Sequence, residues 1–346
     1  MSVAARAAPQ TEAELDDLLS SPGTATVEAL RRAPGDIVVL GAGGKMGPTL
    51  ARMAARAAAE IGDGRRVIAV SRYSNKETAR ALERSGVAVV AADLLDDAAV
   101  ERLPDAPNVV FMAGQKFGTS DAPSRTWMMN VVVPAYCSSR YASSRIVVFS
   151  TGNVYPLTPV PTGGAREDTP PGPVGEYAAS CLGRERVFEH AAATHGTCVA
   201  IVRLNYAIDL RYGVLTDLAQ RILRRDPIPL AMGHVNVIWQ GDANRAALEL
   251  LPHCVAPPVV VNVTGARVLR VRELAEELGR RLGVEPVFEG AEANDALLSE
   301  TTRMRELLGE PEMPLQLMLD WVAQWVGSGK PLLGKPTHFE TRDGAF

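Results

Sequence analysis

Short apolar runs rich in β-branched residues alternate with helical segments along the chain as far as residue 205. The runs are 36-DIVVLGAGGKMG-47, 66-RVIAVSR-72, 87-VAVVAAD-93, 108-NVVFMAG-114, 145-RIVVFSTG-152 and 198-CVAIVRLN-205. Helices are predicted between them, including Leu50 to Ile61 and about Lys76 to Ser85. Strands that alternate with helices pair in parallel through right-handed crossovers. The pattern therefore predicts an α/β fold, a doubly wound parallel sheet covered by helices on both faces.

Three further segments accompany this repeat. Residues 1–35 are predicted to form a helical N-terminal extension, because Thr11 and Glu14 make a capping-box pattern before an apolar helical stretch. Residues 206–330 combine helices with short strands, and we expect them to form mostly a smaller C-terminal α/β lobe that is interleaved with the sheet. Residues 331–346 are predicted to be a tail.

The composition excludes several classes of partner. With 346 residues and 47% hydrophobic content, the chain can bury one large core, or a core together with a smaller lobe. A formal net charge of −4 supplies no basic field for nucleic acid or anionic lipid. No apolar run reaches the length of a membrane span, and the N-terminus lacks the hydrophobic core of a signal peptide. We therefore expect no membrane association and a cytoplasmic location.

The cysteines give no indication of a metal centre. They are Cys137, Cys181, Cys198 and Cys254, and they lack CxxC or Cys/His spacing. Buried reduced thiols are the expected state, and no metal site is predicted.

Three glycines follow the first apolar run. Gly41, Gly44 and Gly47 separate this predicted strand from an alanine-rich helix. A turn of residues without a Cβ lets backbone N–H groups and the positive end of a helix meet a pyrophosphate. At the head of a βαβ series this arrangement predicts a dinucleotide-binding domain over residues 36–205, although a glycine-rich turn without a ligand has the same pattern.

The GxxGxxG spacing resembles that of the short-chain dehydrogenase/reductase superfamily. The length and the second lobe are similar to its extended branch, the NAD-dependent epimerase/dehydratase family, over about residues 36–325. This resemblance implies a Rossmann-type fold, an NAD(P)(H) cofactor and hydride transfer on a sugar, nucleotide sugar or small carbonyl substrate. It also implies a homodimer formed through the helices that start near Ser124 and Tyr177.

The resemblance implies a set of cofactor-binding residues. They are Gly41, Gly44, Lys45, Met46, Gly47, Ser71, Arg72, Asp93, Leu94, Ala113, Gly114, Lys116, Asn130, Tyr177 and Cys181. An acidic residue at the end of the second strand usually binds the ribose 2′-hydroxyl of NAD, whereas Arg72 stands here and favours the 2′-phosphate of NADP(H). The same arginine is also compatible with an ordinary solvated surface charge.

The resemblance further places Tyr177 as the catalytic acid/base, with Thr151, Ser150 and Lys116 around it. Asn153 and, more weakly, Asn205 match substrate-contacting positions. In the family the residue four positions after the tyrosine is a lysine, which favours tyrosinate, but here it is Cys181. A neutral thiol supplies no positive charge at neutral pH.

The missing lysine leaves three interpretations. Another cation, either Lys116 or Arg184, replaces its charge; or Tyr177 acts only as a proton donor during carbonyl reduction; or catalysis is lost and the protein binds dinucleotide as a sensor or scaffold. Cys181 itself is expected to be a small helix-packing residue rather than a nucleophile. A long loop rich in proline and glycine, residues 156–175, is a candidate cover for the site.

Overall fold

The computed structural model describes residues 7–116, 118, 121–335 and 337–344. Residues 1–6 of the predicted helical extension, Phe117 in the loop after the fourth strand, and residues 336, 345 and 346 of the predicted tail lie outside the described residues. No helix in the described part of the chain is both long enough and apolar enough to cross a bilayer.

A seven-stranded parallel sheet forms the centre of the molecule. Its strands are β1 (Ile37–Leu40), β2 (Val67–Ser71), β3 (Ala88–Ala91), β4 (Asn108–Phe111), β5 (Arg145–Thr151), β6 (Cys198–Leu204) and β7 (Val259–Val263). Their spatial order is β3-β2-β1-β4-β5-β6-β7, with every neighbouring pair parallel. The chain reverses its winding between β1 and β4, where open α/β sheets bind ligands. The predicted doubly wound α/β fold is confirmed.

Helices cover both faces of the sheet and build the second lobe. They are α1 (Glu12–Leu19), α2 (Thr24–Arg32), α3 (Gly47–Ile61), α4 (Lys76–Arg84), α5 (Asp97–Glu101), α6 (Pro123–Trp127), α7 (Val133–Arg140), α8 (Gly175–His195), α9 (Val214–Arg224), α10 (Gln240–Glu249), α11 (Val271–Leu282), α12 (Thr302–Leu308) and α13 (Leu315–Gly327). Between α6 and α7 the backbone widens into a π-helical turn, Met128–Val132.

The N-terminal helices α1 and α2 pack against α3 and α10 rather than extending away from the sheet. The Thr26 hydroxyl donates to Glu249 at 2.7 Å, and the Asn244 amide donates to the Leu19 carbonyl at 3.2 Å. Leu15 and Leu19 are completely buried. This packing makes the extension part of the hydrophobic interior of the molecule.

The second lobe has its own core between α9, α11 and α13. Trp239 and Trp321 meet edge to face there, with ring centroids 6.0 Å apart. Loop 156–175 is attached to this lobe, because Thr158–Pro159 pairs with Asp295–Ala296 and the Ala165 amide donates to the Leu298 carbonyl at 2.8 Å.

The C-terminal strap, which we define as residues 331–335 and 337–344, crosses from the second lobe toward the start of α8. The Thr337 amide and hydroxyl both donate to Asp217 in α9, at 2.8 and 2.6 Å. Phe339 is buried, Glu340 pairs with Arg221 at 2.8 Å, and Gly344 lies against the backbone of Gly175. These contacts hold the strap beside the first turn of the helix that carries Tyr177.

Candidate active site

The turn between β1 and α3 is packed too closely for any side chain at two of its glycines. Gly41 has a φ of +88°, and a Cβ there would lie 2.6 Å from the Ala113 nitrogen. A Cβ on Gly47 would lie 2.5 Å from the Ala42 oxygen. The turn therefore stays close to the end of β4 and leaves the N-terminus of α3, with its positive end, facing the cleft.

Two cavities lie on either side of this turn and share Gly41, Gly44 and Met112. One, of about 250 Å³, is the Arg72 cavity, and the predicted residues that line it include Ser71, Arg72, Asp93, Leu94, Ala113 and Gly114. The other, of about 260 Å³, is the Tyr177 cavity, and the predicted residues that line it include Lys45, Met46, Gly47, Lys116, Ser150, Thr151, Asn153, Tyr177 and Asn205. The geometry thus brings most of the predicted site residues into one continuous cleft.

Tyr177 lies in the first turn of α8, near enough to the Thr151 hydroxyl and the Cys181 thiol that both side chains affect the pKa of its phenol. Burial of the phenol by the surrounding protein, followed by the nearby Cys181 thiol, raises the pKa of Tyr177 above its ordinary value. Arg184 and the Thr151 hydroxyl act in the opposite direction without reversing the shift. At neutral pH the phenol is therefore protonated.

Cys181 is completely buried and lines neither cavity. It packs with Val154, Tyr155 and Ala165 behind Tyr177. Burial also raises the pKa of its thiol, so that it stays neutral and unreactive. The prediction that Cys181 is a small packing residue agrees with this placement.

Arg184 is a buried cation one turn beyond Cys181 on α8. Its guanidinium donates to the Phe149 carbonyl and to the Asn130 side-chain oxygen, each at 2.8 Å. A Cβ at Gly114 would overlap it. The positive charge that favours tyrosinate therefore comes from beneath the cleft wall rather than from the position of the missing lysine.

Asn130 also lies behind the cleft wall and lines neither cavity. It is completely buried in the π-helical turn, where its side chain accepts from the Gln115 amide at 2.8 Å and donates to the Gln115 carbonyl at 3.0 Å. A side chain that pairs with both backbone groups of one residue holds that residue's loop in place. Asn130 thereby positions the segment that carries Lys116.

Lys116 lines the Tyr177 cavity and connects it to the strap. Its ammonium group donates to the Thr337 carbonyl at 3.3 Å. Burial lowers the pKa of Lys116 to about 8, although Asp217 and Cys181 oppose the shift. The residue is thus a cation close to Tyr177 that loses its proton only slightly above neutral pH.

Comparisons with known proteins identify the family of this chain. The model of the NAD dependent epimerase/dehydratase family matches residues 37–255, which is more than half of the chain. The chain belongs to the NAD dependent epimerase/dehydratase family. The predicted resemblance is confirmed. No curated protein sequence matches significantly.

Solved structures of this family share the fold at low sequence identity. UDP-glucose 4-epimerase from Thermotoga maritima, solved with UDP-glucose, is 21% identical over 85% of this chain and 99% of its own, with a TM-score of 0.67. MoeE5 in complex with UDP-glucose and NAD has the same identity, coverage and TM-score. The dTDP-glucose 4,6-dehydratase DesIV from Streptomyces venezuelae, with NAD and TYD bound, is 20% identical over 85% of this chain and 97% of its own, with a TM-score of 0.71.

In this family member Ser150 and Asn205 line the cavity but are engaged elsewhere. The Ser150 hydroxyl donates to Glu185 at 2.5 Å, and Glu185 pairs with Arg203 at 2.7 Å in a fully buried network. The Asn205 amide donates to the Leu297 carbonyl at 3.3 Å. Asn153 instead donates to the Thr151 hydroxyl at 3.0 Å, beside the Tyr177 phenol. Thr151 and Asn153 therefore form a hydrogen-bonded polar pair in the lining of the Tyr177 cavity.

Sequence reasoning missed several residues that line the Tyr177 cavity, among them the polar side chains of Tyr206, Tyr212 and Thr337. Tyr206 and Tyr212 follow β6 on irregular backbone, and Thr337 belongs to the strap, outside the predicted resemblance. A positive φ of 42° at Tyr206 is the one unusual backbone feature among them, and the sequence carries no signal for it. Loop 156–175 supplies no residue to the described lining of the Tyr177 cavity, and its role as a cover stays a prediction.

Among the described residues, no three His, Cys, Asp or Glu side chains cluster closely enough to hold a metal ion.

Proposed function

We propose that this protein binds NAD(P)(H) across the glycine turn and catalyses hydride transfer on a sugar, nucleotide sugar or small carbonyl substrate, with Tyr177 as the acid/base. One observation carries the proposal: the Tyr177 phenol and the Thr151 hydroxyl lie side by side in a cavity that adjoins the glycine turn. A proton-transfer pair beside a dinucleotide cradle is the arrangement that this chemistry requires.

The cleft fits a dinucleotide. A Cβ at Gly41 or Gly47 would close the turn, whereas one at Gly44 would meet only the Gly41 oxygen, at 3.3 Å, which leaves its cleft side open to a phosphate. The Arg72 cavity would hold the adenosine end, and the Tyr177 cavity would hold the nicotinamide beside the substrate. When bound, the reduced cofactor supplies the hydride.

Tyr177 serves best as a proton donor. The phenol holds a proton at neutral pH, as any tyrosine does, and the raised pKa opposes its loss to solvent, so that the proton is available for a carbonyl oxygen at the carbon which receives the hydride. Arg184 then stabilises the resulting phenolate. Reduction of a carbonyl is therefore the direction that this chain's residues favour.

Arg72 supports a preference for NADP(H) over NAD(H). The side chain follows the end of β2, is exposed, and lines the Arg72 cavity together with Ser74 and Asn75. A guanidinium and two small polar side chains are suited to a 2′-phosphate. Two of the structural neighbours contain NAD, so the preference belongs to this chain's own residues.

The substrate side is proposed to involve Asn153 and Asn205, at the carboxyl ends of the strands. UDP-glucose is bound in two of the neighbouring structures, which makes a sugar framework the first class to test. A homodimer is proposed through the surface of α6 and α8, where Trp127 and Met128 are each 41% exposed, since large apolar side chains left on a surface mark contacts with a partner.

Turnover with a matched variant tests this function. Wild-type protein and Tyr177→Phe are assayed with NADPH against sugars, nucleotide sugars and carbonyl compounds, by nicotinamide absorbance and by product analysis for epimerisation. We expect the variant to lose about a hundred- to ten-thousandfold in kcat, the usual contribution of a general acid, and to bind dinucleotide as wild type does in calorimetry. Equal turnover of the two proteins would refute the role of Tyr177.

The buried Cys181 also favours a second candidate, a dinucleotide-binding sensor without turnover. With a neutral thiol at the position of the lysine, α8 supplies no cation to the nicotinamide ribose from that position. This candidate predicts dinucleotide binding, no turnover on the panel, and a change of assembly in light scattering when dinucleotide is added. An increase in turnover in Cys181→Lys would instead identify a weakened reductase.

A further inference from the structure

The side chains that line the Tyr177 cavity carry positive charge only. Lys45 and Lys116 face it, and no Asp, Glu or Arg side chain is among the lining residues. The two ammonium groups are near enough to each other that Lys116 lowers the pKa of Lys45. Like charges on a concave surface with low-dielectric walls attract and concentrate an anion.

Lys45 points toward the second lobe. Its ammonium group lies 3.5 Å from the centroid of the Tyr212 ring, and Lys45 is absent from the lining of the Arg72 cavity. Among the described residues no carboxylate is within ion-pair distance of it. The two acidic side chains that act on its charge from farther away, Asp209 and Asp217, are engaged by Arg211 and Thr337. An ammonium group placed this way can accept a ligand anion without breaking an existing ion pair.

The surrounding protein lowers the pKa of Lys45 to about 7, chiefly through burial. The side chain nevertheless remains exposed to water in the open cleft, and this contact opposes the shift. An anion bound beside the ammonium group would keep it protonated.

The strap limits the size of what the cavity admits. Thr337 lines the Tyr177 cavity, while Gly334, Lys335 and Glu340 line a separate cavity of about 350 Å³ on its other side. The strap thus forms a wall between the two. At about 260 Å³ the inner cavity is smaller than the roughly 300–1,000 Å³ of pockets for drug-sized ligands, and the nicotinamide would take part of it.

We propose that the substrate is a small anionic hydroxy or carbonyl compound, with a carboxylate or phosphate and no nucleotide, whose negative group is bound by Lys45. This rests on the proposed function, because it names the substrate class of the same cavity. A nucleotide sugar would have to extend its diphosphate past the strap, toward arginines that are already paired: Arg211 with Asp209, and Arg221 with Glu340.

Calorimetry on protein saturated with NADP⁺ tests the proposal. The probes are D-glucuronate and D-galacturonate, their neutral parents D-glucose and D-galactose, D-glucose 6-phosphate, and UDP-glucose. We expect a uronate or the sugar phosphate to bind at least about tenfold more tightly than its neutral parent, as one charge-assisted hydrogen bond allows. The uronates and the phosphate separate the two sources of negative charge.

Three lysine variants test whether Lys45 is the residue responsible for the preference for anions. Lys45→Met should bring the affinity for the anion to that of the neutral parent, and Lys45→Arg should keep much of the difference. Lys76→Met is the matched control, because Lys76 is exposed and lines neither cavity. Thermal denaturation checks that each variant is folded.

Several results would overturn the proposal: equal binding of acids and neutral parents, UDP-glucose binding more tightly than every small anion, no binding of any probe, or an unchanged preference in Lys45→Met. Weakened dinucleotide binding in Lys45→Met, with substrate preference unaltered, would assign Lys45 to the cofactor and also overturn it. These outcomes leave the proposed function standing. Failure of the wild-type protein to bind either NADP(H) or NAD(H) would refute the proposed function itself.

Discussion

The two cavities beside the glycine turn are assembled in different ways. The Arg72 cavity is built from residues at the ends of neighbouring strands and at the start of α4, together with Met129 from the π-helical turn. The Tyr177 cavity also draws on the turns after β6, the start of α9 and the strap, so it joins segments that are far apart in the chain. The Arg72 cavity therefore depends mostly on the strands of the sheet, whereas the shape of the Tyr177 cavity depends also on segments far away in the chain.

The charged side chains of the two halves of the cleft differ in their exposure to water. In the Arg72 cavity, Arg72 and Asp93 are side chains in contact with water. Behind the Tyr177 cavity lie Arg184, Arg203 and Glu185, all buried. Buried charges depend strongly on their partners, whereas exposed charges are screened. Substitutions of the buried charges behind the Tyr177 cavity should therefore affect folding, and substitution of the exposed Arg72 should affect binding alone.

The largest expected effect comes from Glu185→Gln. Glu185 is completely buried, pairs with Arg203 at 2.7 Å and accepts from Ser150, so its loss leaves a buried guanidinium without its counter-charge. Breaking a buried pair costs about 3–5 kcal/mol. Urea denaturation measures the loss. The control is Glu189→Gln on the same helix, whose ion pair with Arg186 is at the surface and is worth at most about 1 kcal/mol. Equal losses in both variants would contradict the contrast.

An intermediate effect is expected for Arg72→Gln, which tests the exposed charge of the Arg72 cavity. Loss of the guanidinium should weaken NADP⁺ binding by about tenfold or more and leave NAD⁺ binding and the unfolding free energy unchanged, because the side chain is exposed. Calorimetry with both dinucleotides measures the ratio. Arg80→Gln, on the exposed surface of α4, is the control. If Arg72→Gln binds both dinucleotides more weakly by the same factor, Arg72 does not bind the 2′-phosphate.

The smallest effect is a pH dependence of stability that involves Lys116. Its pKa is lowered from 10.5 to about 8 in the folded protein, so between these values the unfolded chain binds more protons. Wild-type stability gains from Lys116 as pH rises through this window, and below it the full cost of burying the charge remains. Lys116→Met lacks this titration. The change in Tm, variant minus wild type, should therefore be more positive at about pH 7 than at about pH 10.

Lys76→Met is again the control for Lys116→Met, because it removes the same charge from an exposed position. Its change in Tm should be nearly the same at the two pH values. A difference for Lys116→Met that is also independent of pH would show that water in the open cleft solvates Lys116 and cancels the effect of burial.

Much of the sheet could be predicted because most of its strands can be recognised from their own residues. β-Branched runs at β1, β2 and β4 to β6 are long and apolar enough to identify a buried strand without knowledge of its partners. Helix ends were less accurate: α3 begins at Gly47 rather than near Leu50, because Pro48 is well suited to the first turn of a helix. The π-helical turn around Asn130 has no counterpart in a simple helical period.

The cofactor half of the site was predictable for a similar reason. Gly47 is required by a close backbone contact with Ala42 in the same turn, and Gly41 by its positive φ of +88°, so the sequence records both as glycines. The two residues that lie behind the wall, Asn130 and Cys181, could not be separated from the lining residues by pattern. Which face of a helix meets a cavity depends on how that helix packs, and packing is a property of the whole fold.

By itself, the sequence determined the parallel sheet, the glycine turn and the absence of a lysine four residues after Tyr177, since each follows from residue type and short-range spacing. Only the tertiary structure decided that Arg184 supplies buried positive charge near Tyr177, that Lys45 and Lys116 face the same cavity, and that Thr337 of the strap forms its wall. The physical reason is distance along the chain. Electrostatic and packing contacts depend on separation in space. Folding brings together segments that are far apart in the chain, and the sequence of one segment does not indicate which other segment it will contact.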